Sequence, residues 1–468
     1  MSQHFDLLVI NAEIVTASDK FQADIGVIDG KIAALGKNLG TATQIVDASG
    51  LLALPGGVDA HCHLDQPQDF GLRMADDFLS GSRSAACGGT TTIIPFAAQA
   101  KGQSLQAAVT DYHQRAQDKS CIDYAFHMIV SDPTPEVLKT ELPRLIQEGY
   151  TSFKVYMTYD DLKLNDRQIL EVLDVARQEG ALVMVHAENS DCIGWLTDRL
   201  VSEGKTTPQY HGVSRPQAVE REATHRAITF SELVDVPILI VHVSGREAIE
   251  QIRWAHGRGQ RIYAETCPQY LYLTEDDLGH GDYDGAKCIC SPPPRDRANQ
   301  QVVWDGLQHS VFAVFSSDHA PFGYDDPHGK KLRGVEQKFH HIPNGIPGLE
   351  TRLPLLFSGG VKEGRISIHQ FVAVTSTQPA KLYGLYPRKG SLMVGSDADI
   401  ALWDPDREVT IHNQMLHHNV DYTPYEGQTV TGWPVMTFSR GRLVAKNFEF
   451  LGQAGTGEFM SCGKPMLL

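Results

Sequence analysis

Histidine and aspartate side chains follow short apolar runs at several separate places in this chain of 468 residues. A single buried histidine at the end of a strand is more often an ordinary core residue than a metal ligand. Several at separate strand ends are different, because imidazole and carboxylate groups that converge on one point can bind a divalent cation. The donors suit Zn²⁺, and Mn²⁺, Fe²⁺ and Co²⁺ are alternatives. The residues are His61, His63, His186, His242 and Asp318.

The first two histidines are separated by a single residue, in the order His61-Cys62-His63. In an extended chain, alternate side chains point to the same side. Both imidazoles can therefore reach one ion while the thiol of Cys62 points away. Two histidines at this spacing form a weak motif alone, so a metal site depends on the ligands that come later in the chain.

Lys154 lies within the apolar run 151–156 and adds a cation to these donors. Two divalent ions would repel its ammonium group. The lysine can therefore act as a ligand only when its amine is neutral and carries CO₂ as a carbamate, which is a carboxylate able to bridge two ions. The alternatives are a lysine held by a salt bridge and a buried lysine that has simply lost its proton.

Strands that alternate with helices are needed to bring these residues together. In one unit Asn165 can cap a helix with Gln168 as its capping-box partner, and Gly180 ends that helix before the next strand. Eight such units predict a parallel (β/α)₈ barrel, in which catalytic groups lie at the carboxyl ends of the strands. We predict these strands near Val58 and at residues 91–96, 124–130, 152–157, 182–186, 238–243, 261–265 and 314–317.

Both ends of the chain have the pattern of short strands rather than helices. Apolar β-type runs punctuated by Asn, Asp and Gly occur at 6–11 and 23–29, and similar runs occur at 399–404 and 429–437. The simplest arrangement pairs the two ends into one small β-sandwich. We therefore predict an α/β protein in which residues 1–54 and 388–468 form the sandwich, with a tail, and residues 55–387 form the barrel.

Composition and charge exclude several classes of function. The 41 basic and 57 acidic residues give a net charge of −16, which offers no footprint for nucleic acid or an anionic membrane. No apolar run approaches the ~18 residues of a membrane span, and no signal peptide is recognisable. The eight cysteines are scattered, so we expect reduced thiols in a cytoplasmic protein and no cysteine-based metal site.

Several longer passages resemble the D-hydantoinase and dihydropyrimidinase branch of the amidohydrolase superfamily. The resemblance runs through nearly the whole chain, and its motifs together are highly specific. It implies a (β/α)₈ barrel with a β-sandwich, two divalent metal ions per chain, which in this family are zinc, and a CO₂-derived carbamate on Lys154. The passages are residues 55–64 (PGGVDAHCHL), 151–159 (TSFKVYMTY), 184–189 (MVHAEN), 264–270 (AETCPQY), 291–295 (SPPPR), 342–345 (IPNG) and 394–399 (VGSDAD).

The resemblance also implies roles for the metal ligands. His61, His63 and Asp318 would bind the more buried ion. His186 and His242 would bind the second ion, and Lys154 would bridge both together with a hydroxide. Asp318 would take the hydroxide proton and deliver it to the leaving nitrogen, as base and then acid.

Other matching positions are implied to bind the substrate. Tyr159 would stabilise the oxyanion through its hydroxyl, and Tyr156 lies near the loop that selects the ring substituent. Backbone groups of Ser291 and Asn344 would hold the ring amide, and Leu64 would contact the substrate. Each also has an ordinary structural interpretation, because tyrosines often only pack and both Ser291-Pro and Asn344-Gly occur in turns.

The implied function is opening of the cyclic amide bond of dihydropyrimidines or 5-substituted hydantoins to N-carbamoyl amino acids, by a homotetramer or homodimer. An allantoinase, or another cyclic ureide or imide hydrolase, is the alternative favoured by residues 317–321 (SDHAP). A dihydroorotase would have an arginine where this chain has Asp65, which we expect to repel a carboxylated ring. A non-catalytic scaffold is disfavoured because none of the six metal ligands is missing.

Overall fold

The computed structural model describes residues 4–68, 71–281, 283–335 and 337–468, and its strands lie where the sequence predicts them. The eight predicted barrel strands are confirmed, and the third is divided into two short strands. In chain order the strands are β1 (His4–Val15), β2 (Lys20–Ile28), β3 (Lys31–Gly36), β4 (Thr41–Asp47), β5 (Leu52–Pro55), β6 (Gly57–Cys62), β7 (Thr90–Ala98), β8 (Asp123–Tyr124), β9 (His127–Ile129), β10 (Ser152–Tyr156), β11 (Leu182–His186), β12 (Ile238–Ile240), β13 (Ile262–Thr266), β14 (Val314–Phe315), β15 (Ile400–Thr410), β16 (Thr429–Ser439), β17 (Arg442–Lys446) and β18 (Glu449–Phe450).

Helices connect the barrel strands, and none in the described ranges is long and apolar enough to cross a membrane. They are α1 (Phe78–Cys87), α2 (Leu105–Ala116), α3 (Leu142–Gln147), α4 (Asp166–Glu179), α5 (Ser190–Ser202), α6 (Tyr210–Ser214), α7 (Gln217–Val234), α8 (Arg246–Gly257), α9 (Gln269–Tyr272), α10 (Arg297–Gln308), α11 (Arg352–Leu356), α12 (Ile368–Val372) and α13 (Gln378–Leu382).

Helix α4 begins and ends for the reasons that its sequence indicates. The Asn165 side chain accepts a hydrogen bond from the backbone N–H of Gln168 at 3.0 Å, and the Gln168 side-chain oxygen accepts one from the Asn165 N–H at 3.0 Å. This capping box satisfies two N–H groups that the first helical turn leaves free. Gly180 ends the helix in the left-handed region at φ 76°, where glycine avoids the steric cost of a Cβ.

The barrel is a parallel sheet in the order β14-β13-β12-β11-β10-β9-β7-β6, with β8 beside β7. Its two ends approach each other through a parallel bridge between Cys62 and His319, so the barrel is nearly closed. Along β11, Val183 and Val185 pack towards the surrounding helices, whereas Leu182 and Met184 fill the interior. This alternation carries the side chain that follows Met184 by two residues, His186, to the inner side as well.

The strands of the two chain ends form one continuous mixed sheet in the order β18-β17-β16-β15-β5-β1-β2-β3, with β4 beside β1. The predicted pairing of both ends is confirmed. Long strand β1 bonds to β4 along its first half and to β5 near its end, so one strand serves both parts of the expected sandwich. Gly56 alone separates β5 in this sheet from β6 in the barrel, and the domain limits given above stay predictions.

A buried ion cluster joins this mixed sheet to the barrel. The amine of Lys389 lies 2.5 Å from Asp123 Oδ2, 2.7 Å from Asp399 Oδ2 and 3.0 Å from Asp397 Oδ2. Asp123 belongs to β8, whereas the other two aspartates precede or adjoin β15. Burial disfavours the charged amine, but the three carboxylates outweigh this and raise the pKa of Lys389. The lysine is therefore a cation that three buried anions require.

We predict that Lys389→Met lowers the free energy of unfolding by about 3–5 kcal/mol, because it leaves the buried Asp399 without a counter-ion, whereas Asp123 keeps Arg440 and Asp397 keeps Arg388. Thermal and urea unfolding would measure the change. Lys362→Met is the matched control, since Lys362 pairs with Asp406 at 2.8 Å on the surface, and it should cost no more than about 1 kcal/mol. Equal effects of the two substitutions would contradict the prediction.

Candidate metal centre

The carboxyl ends of the barrel strands bring the six predicted metal ligands together. The first group is His61, His63 and Asp318, whose possible ligand atoms all lie within 4.8 Å of one another. Asp318 Oδ1 is 3.1 Å from His61 Nε2 and 3.5 Å from His63 Nε2. Two imidazole nitrogens and a carboxylate oxygen at such distances are a donor set that can hold a divalent ion.

The second group lies beside the first and contains the other two histidines. His186 Nδ1 and His242 Nε2 are 2.9 Å apart. The imidazole rings of His61 and His242 have centroids 5.4 Å apart, so the two groups of possible ligands are adjacent. The Lys154 amine is 2.8 Å from His61 Nε2 and faces the rings of Phe96 and Tyr156 at 4.6 and 4.8 Å from their centroids.

Oxygen acceptors on the outer side set the tautomers of three of these histidines. His61 Nδ1 is 2.6 Å from Glu265 Oε1, and His186 Nε2 is 2.8 Å from Glu188 Oε2. His63 Nδ1 is 2.7 Å from the Gln66 side-chain oxygen. Because these oxygens accept hydrogen bonds, the outer nitrogens must carry the proton, and each inner nitrogen presents a lone pair. An outer acceptor of this kind is typical of metal-binding histidines.

The two buried glutamates each make a further contact besides the one to a histidine ring. Glu265 Oε1 also accepts the backbone N–H of His242 at 3.0 Å, so one oxygen holds a residue from each group. Glu188 is 2.8 Å from the guanidinium of Arg215. Burial raises the pKa of Glu188, but Arg215 and His186 outweigh burial and hold it at about 2. Glu188 is therefore an anion that orients His186.

Three site residues have left-handed backbone conformations that side chains disfavour. The φ angles are 40° at His242, 48° at Asp318 and 69° at Tyr159. Such conformations cost on the order of 1–3 kcal/mol each and cluster at functional sites. Strand alternation would place His242 on the outer side with Ile238 and Ile240. β12 ends at Ile240. The left-handed backbone of His242 itself then allows its imidazole to face His186.

Lys154 is fully buried among these donors. Burial lowers its pKa to about 8, although Asp318 and Glu265 oppose the shift. In the described ranges its hydrogen-bond partner is a histidine nitrogen rather than a carboxylate oxygen. The salt-bridged lysine that the sequence left open is therefore not the arrangement found in these ranges, and the lowered pKa makes the neutral amine easier to reach than in a free lysine.

Two of the predicted substrate residues adjoin His186, and a third contacts one of them. Tyr156 stacks on its ring at 5.2 Å between centroids, and the Tyr159 ring meets it at 5.4 Å. The Asn344 side-chain amide donates to the Tyr159 hydroxyl at 3.2 Å. The segment that contains Asn344 is joined to the one that contains Ser291, because the Gly345 N–H donates to the Ile289 carbonyl at 3.0 Å.

Leu64 and Asp65 lie differently from what the sequence suggests. The Leu64 side chain packs against Gly81 of α1, where an added Cβ would meet it at 2.4 Å, and the structure does not bring it to the ligands. The Asp65 carboxylate is 3.1 Å from Arg115 and 3.5 Å from Lys119. The expectation that Asp65 repels a carboxylated ring was wrong as argued, because two cations neutralise this carboxylate.

Glu265, Glu188, Gln66 and Arg215 were missed by the sequence analysis. Glu265 ends the predicted strand 261–265, so a carboxylate at a strand end was a signal that could have identified it. Glu188 follows His186 by two residues, and only the folded chain shows that it turns back to the ring. Arg215 lies before α7, far from any motif, and nothing in the sequence marks it.

Comparisons with known proteins identify the family and the fold. The family model described as "Amidohydrolase family" matches residues 52–444. A D-hydantoinase of Rhizobium radiobacter is 45% identical over 97% of this chain and 98% of its own, and one of Geobacillus stearothermophilus is 44% identical over 98% and 96%. The crystal structure of a dihydropyrimidinase from Brevibacillus agri NCHU1002 has a TM-score of 0.95 and 44% identity, covering 98% of this chain and 99% of that one.

A family match across most of the chain, near-complete alignment with these relatives and a shared barrel lead to one conclusion: the chain belongs to the amidohydrolase family, in the group of the D-hydantoinases and dihydropyrimidinases.

Proposed function

We propose that the chain hydrolyses the cyclic amide bond of dihydropyrimidines or 5-substituted hydantoins. Water adds to the ring carbonyl, the carbon–nitrogen bond breaks, and the nitrogen takes up a proton, which gives an N-carbamoyl amino acid. The observation that carries this proposal is the hydrogen bonding of His61, His63 and His186 to outer oxygens, which leaves their inner nitrogens free to bind ions, in a chain 45% identical to a D-hydantoinase.

The donor set fits two divalent metal ions, and we propose zinc. His61, His63 and Asp318 would hold one ion, and His186 and His242 the other. The orientation of the imidazoles supports this assignment, because three outer nitrogens are already bonded to oxygens. Two such ions, when bound, supply a water of lowered pKa and polarise the ring carbonyl.

Lys154 would join the two groups of ligands as a carbamate. Its neutral amine adds to the carbon of CO₂ and releases one proton, which leaves an anionic group with two oxygens. Three features support this: the amine is buried, its pKa is lowered to about 8, and it lies 2.8 Å from His61 Nε2. The carbamate would also place an anion among the metal ligands, which is electrostatically favourable there.

Asp318 and Tyr159 would handle the proton and the developing charge. Asp318 Oδ1 faces both His61 and His63, so it can take the proton of the attacking water and deliver it to the leaving ring nitrogen. Burial raises the pKa of Tyr159, so its hydroxyl stays protonated. The hydroxyl can therefore donate to the oxyanion while Asn344 donates to the hydroxyl oxygen.

The remaining proposals concern the substrate and the assembly. Backbone groups of Ser291 and Asn344 would hold the ring amide, and Tyr156 would contact the ring substituent. A contribution of Leu64 stays a prediction, since its side chain packs against α1. A homotetramer or homodimer and a cytoplasmic location also stay predictions.

Replacing Lys154 tests the bridging role. Lys154→Ala should reduce the metal content from about two ions per chain to less than one and abolish turnover, since it removes the ligand shared by both groups. Metal analysis and a ring-opening assay would measure both. Lys139→Ala changes an exposed lysine and should retain both properties. Full metal content and activity in Lys154→Ala would contradict the bridging role.

Replacing Glu265 tests the orientation of the metal ligands. Glu265→Gln should weaken metal binding by roughly 10–100-fold, because an amide is a poorer acceptor for the His61 ring N–H. Competition with a chelator would measure the affinity of each variant. Glu250→Gln removes an exposed carboxylate of α8 and is the control. Unchanged affinity in Glu265→Gln would show that His61 needs no such partner.

A substrate panel tests the function itself. Steady-state rates on dihydrouracil, 5-substituted hydantoins, allantoin and a cyclic imide should be highest for a hydantoin or dihydrouracil. Fastest turnover of allantoin would instead favour the alternative that residues 317–321 suggested. Metal-loaded protein that opened none of these rings would overturn the proposed function.

A further inference from the structure

Lys330 is a fully buried lysine outside the metal centre. Its amine donates hydrogen bonds to the carbonyl oxygens of Ile289 at 3.2 Å and Pro343 at 3.0 Å. Burial lowers the pKa of Lys330 to about 7, and the thiols of Cys290 and Cys288 offset only part of this shift. A buried amine whose partners are backbone carbonyls is costly to maintain, so its position calls for an explanation.

The two carbonyls belong to segments that meet at the proposed ring-binding site. Ile289 precedes Ser291 by two residues, and Pro343 directly precedes Asn344. The Ile289 carbonyl also accepts the Gly345 N–H at 3.0 Å. The amine of Lys330 therefore reinforces the crossing at which the two backbones proposed to hold the ring amide are joined.

The same crossing is packed against the segment of a metal ligand. Gly345 has a φ of 143°, and a Cβ there would lie 2.4 Å from the Ala320 side chain. The Ala320 N–H donates to the Ile346 carbonyl at 3.1 Å. Ala320 follows Asp318 by two residues. A shift of the crossing would therefore move the ring-binding backbone relative to the metal centre.

The backbone of Lys330 is itself anchored. Its N–H donates to the Gly323 carbonyl at 2.8 Å, and its carbonyl accepts the Tyr283 hydroxyl and the Gln337 amide. A Cβ at Gly329 would lie 2.1 Å from the Gly323 carbonyl oxygen, which leaves no room for a side chain. These contacts therefore hold the Lys330 amine in one position, as a positioning residue requires.

We propose that Lys330 is a positioning residue that fixes the Ser291 and Asn344 backbones and thereby sets how tightly the ring is bound. This rests on the proposed function. Lys330 does not touch the reacting atoms, so its loss should weaken ring binding more than it slows the chemical step. A lysine that only stabilised the fold would change neither KM nor kcat in the protein that remains folded.

The test compares Lys330→Met with Lys331→Met in the metal-loaded full chain. Methionine keeps an unbranched stem but removes the donors, whereas Lys331 is a neighbouring lysine that pairs with Asp325 instead. On the best substrate of the wild-type protein, Lys330→Met should raise KM about tenfold, the loss expected for one hydrogen bond from a charged group. Its kcat should stay within about threefold and its metal content unchanged. Lys331→Met should match the wild type.

Lys330→Gln guards against misfolding of the methionine variant, since an amide still offers two donors on a shorter stem. It should fold and raise KM less than Lys330→Met does. An unchanged KM, or a fall in kcat alone, would overturn the proposal for Lys330 while leaving the proposed function intact. Failure of both variants to fold would also overturn it, in favour of a purely structural role. Absence of ring opening by the wild type would overturn both proposals.

Discussion

The inner nitrogens of His61, His63 and His186 each present a lone pair because an oxygen acceptor keeps the proton on the opposite ring nitrogen. Imidazole has two nitrogens of similar basicity, and without such an acceptor either tautomer could form. Glu265 is central, since one of its oxygens serves the His61 ring and the His242 backbone together. It comes from β13, a strand that provides no ligand itself. The barrel therefore uses a strand without ligands to support His61 of β6 and His242, which follows β12.

Backbone strain and buried ionisable groups at this site lower the stability of the fold, and the rest of the structure has to offset that cost. Left-handed residues such as His242 and Asp318 store strain, and Glu188 and Lys154 are ionisable groups removed from water. Parallel strand pairing and a core of interdigitating apolar side chains restrain the backbone between these positions. Arg215 contacts two of these residues. It neutralises Glu188, and it lies 5.6 Å from the ring centroid of Tyr159, whose backbone is also left-handed.

Much of the fold was predictable from local patterns. Strand spacing gave the barrel, and the Asn165–Gln168 pair gave the start of α4. Details that depend on distant groups were not predictable. Asp65 repels anions only if no cation is near, and Arg115 comes from α2, 50 residues away. The resemblance implied that Leu64 contacts the substrate, whereas its side chain fills the space that Gly81 leaves. The two chain ends form a single mixed sheet because β1 is long enough to pair with both β4 and β5. The sequence pattern predicted only residues 6–11 of this strand.

The pairing of the two chain ends has a consequence for biosynthesis. β5 bonds to β15, which lies almost 350 residues later in the chain, and the Met460 N–H reaches back to the Tyr124 carbonyl at 2.7 Å. A ribosome that has released only the barrel segment has therefore not supplied the partners of its first strands. Contacts of such long sequence separation form slowly and leave strand edges open meanwhile. The first strands of the nascent chain therefore keep unpaired hydrogen-bonding groups until its last residues emerge.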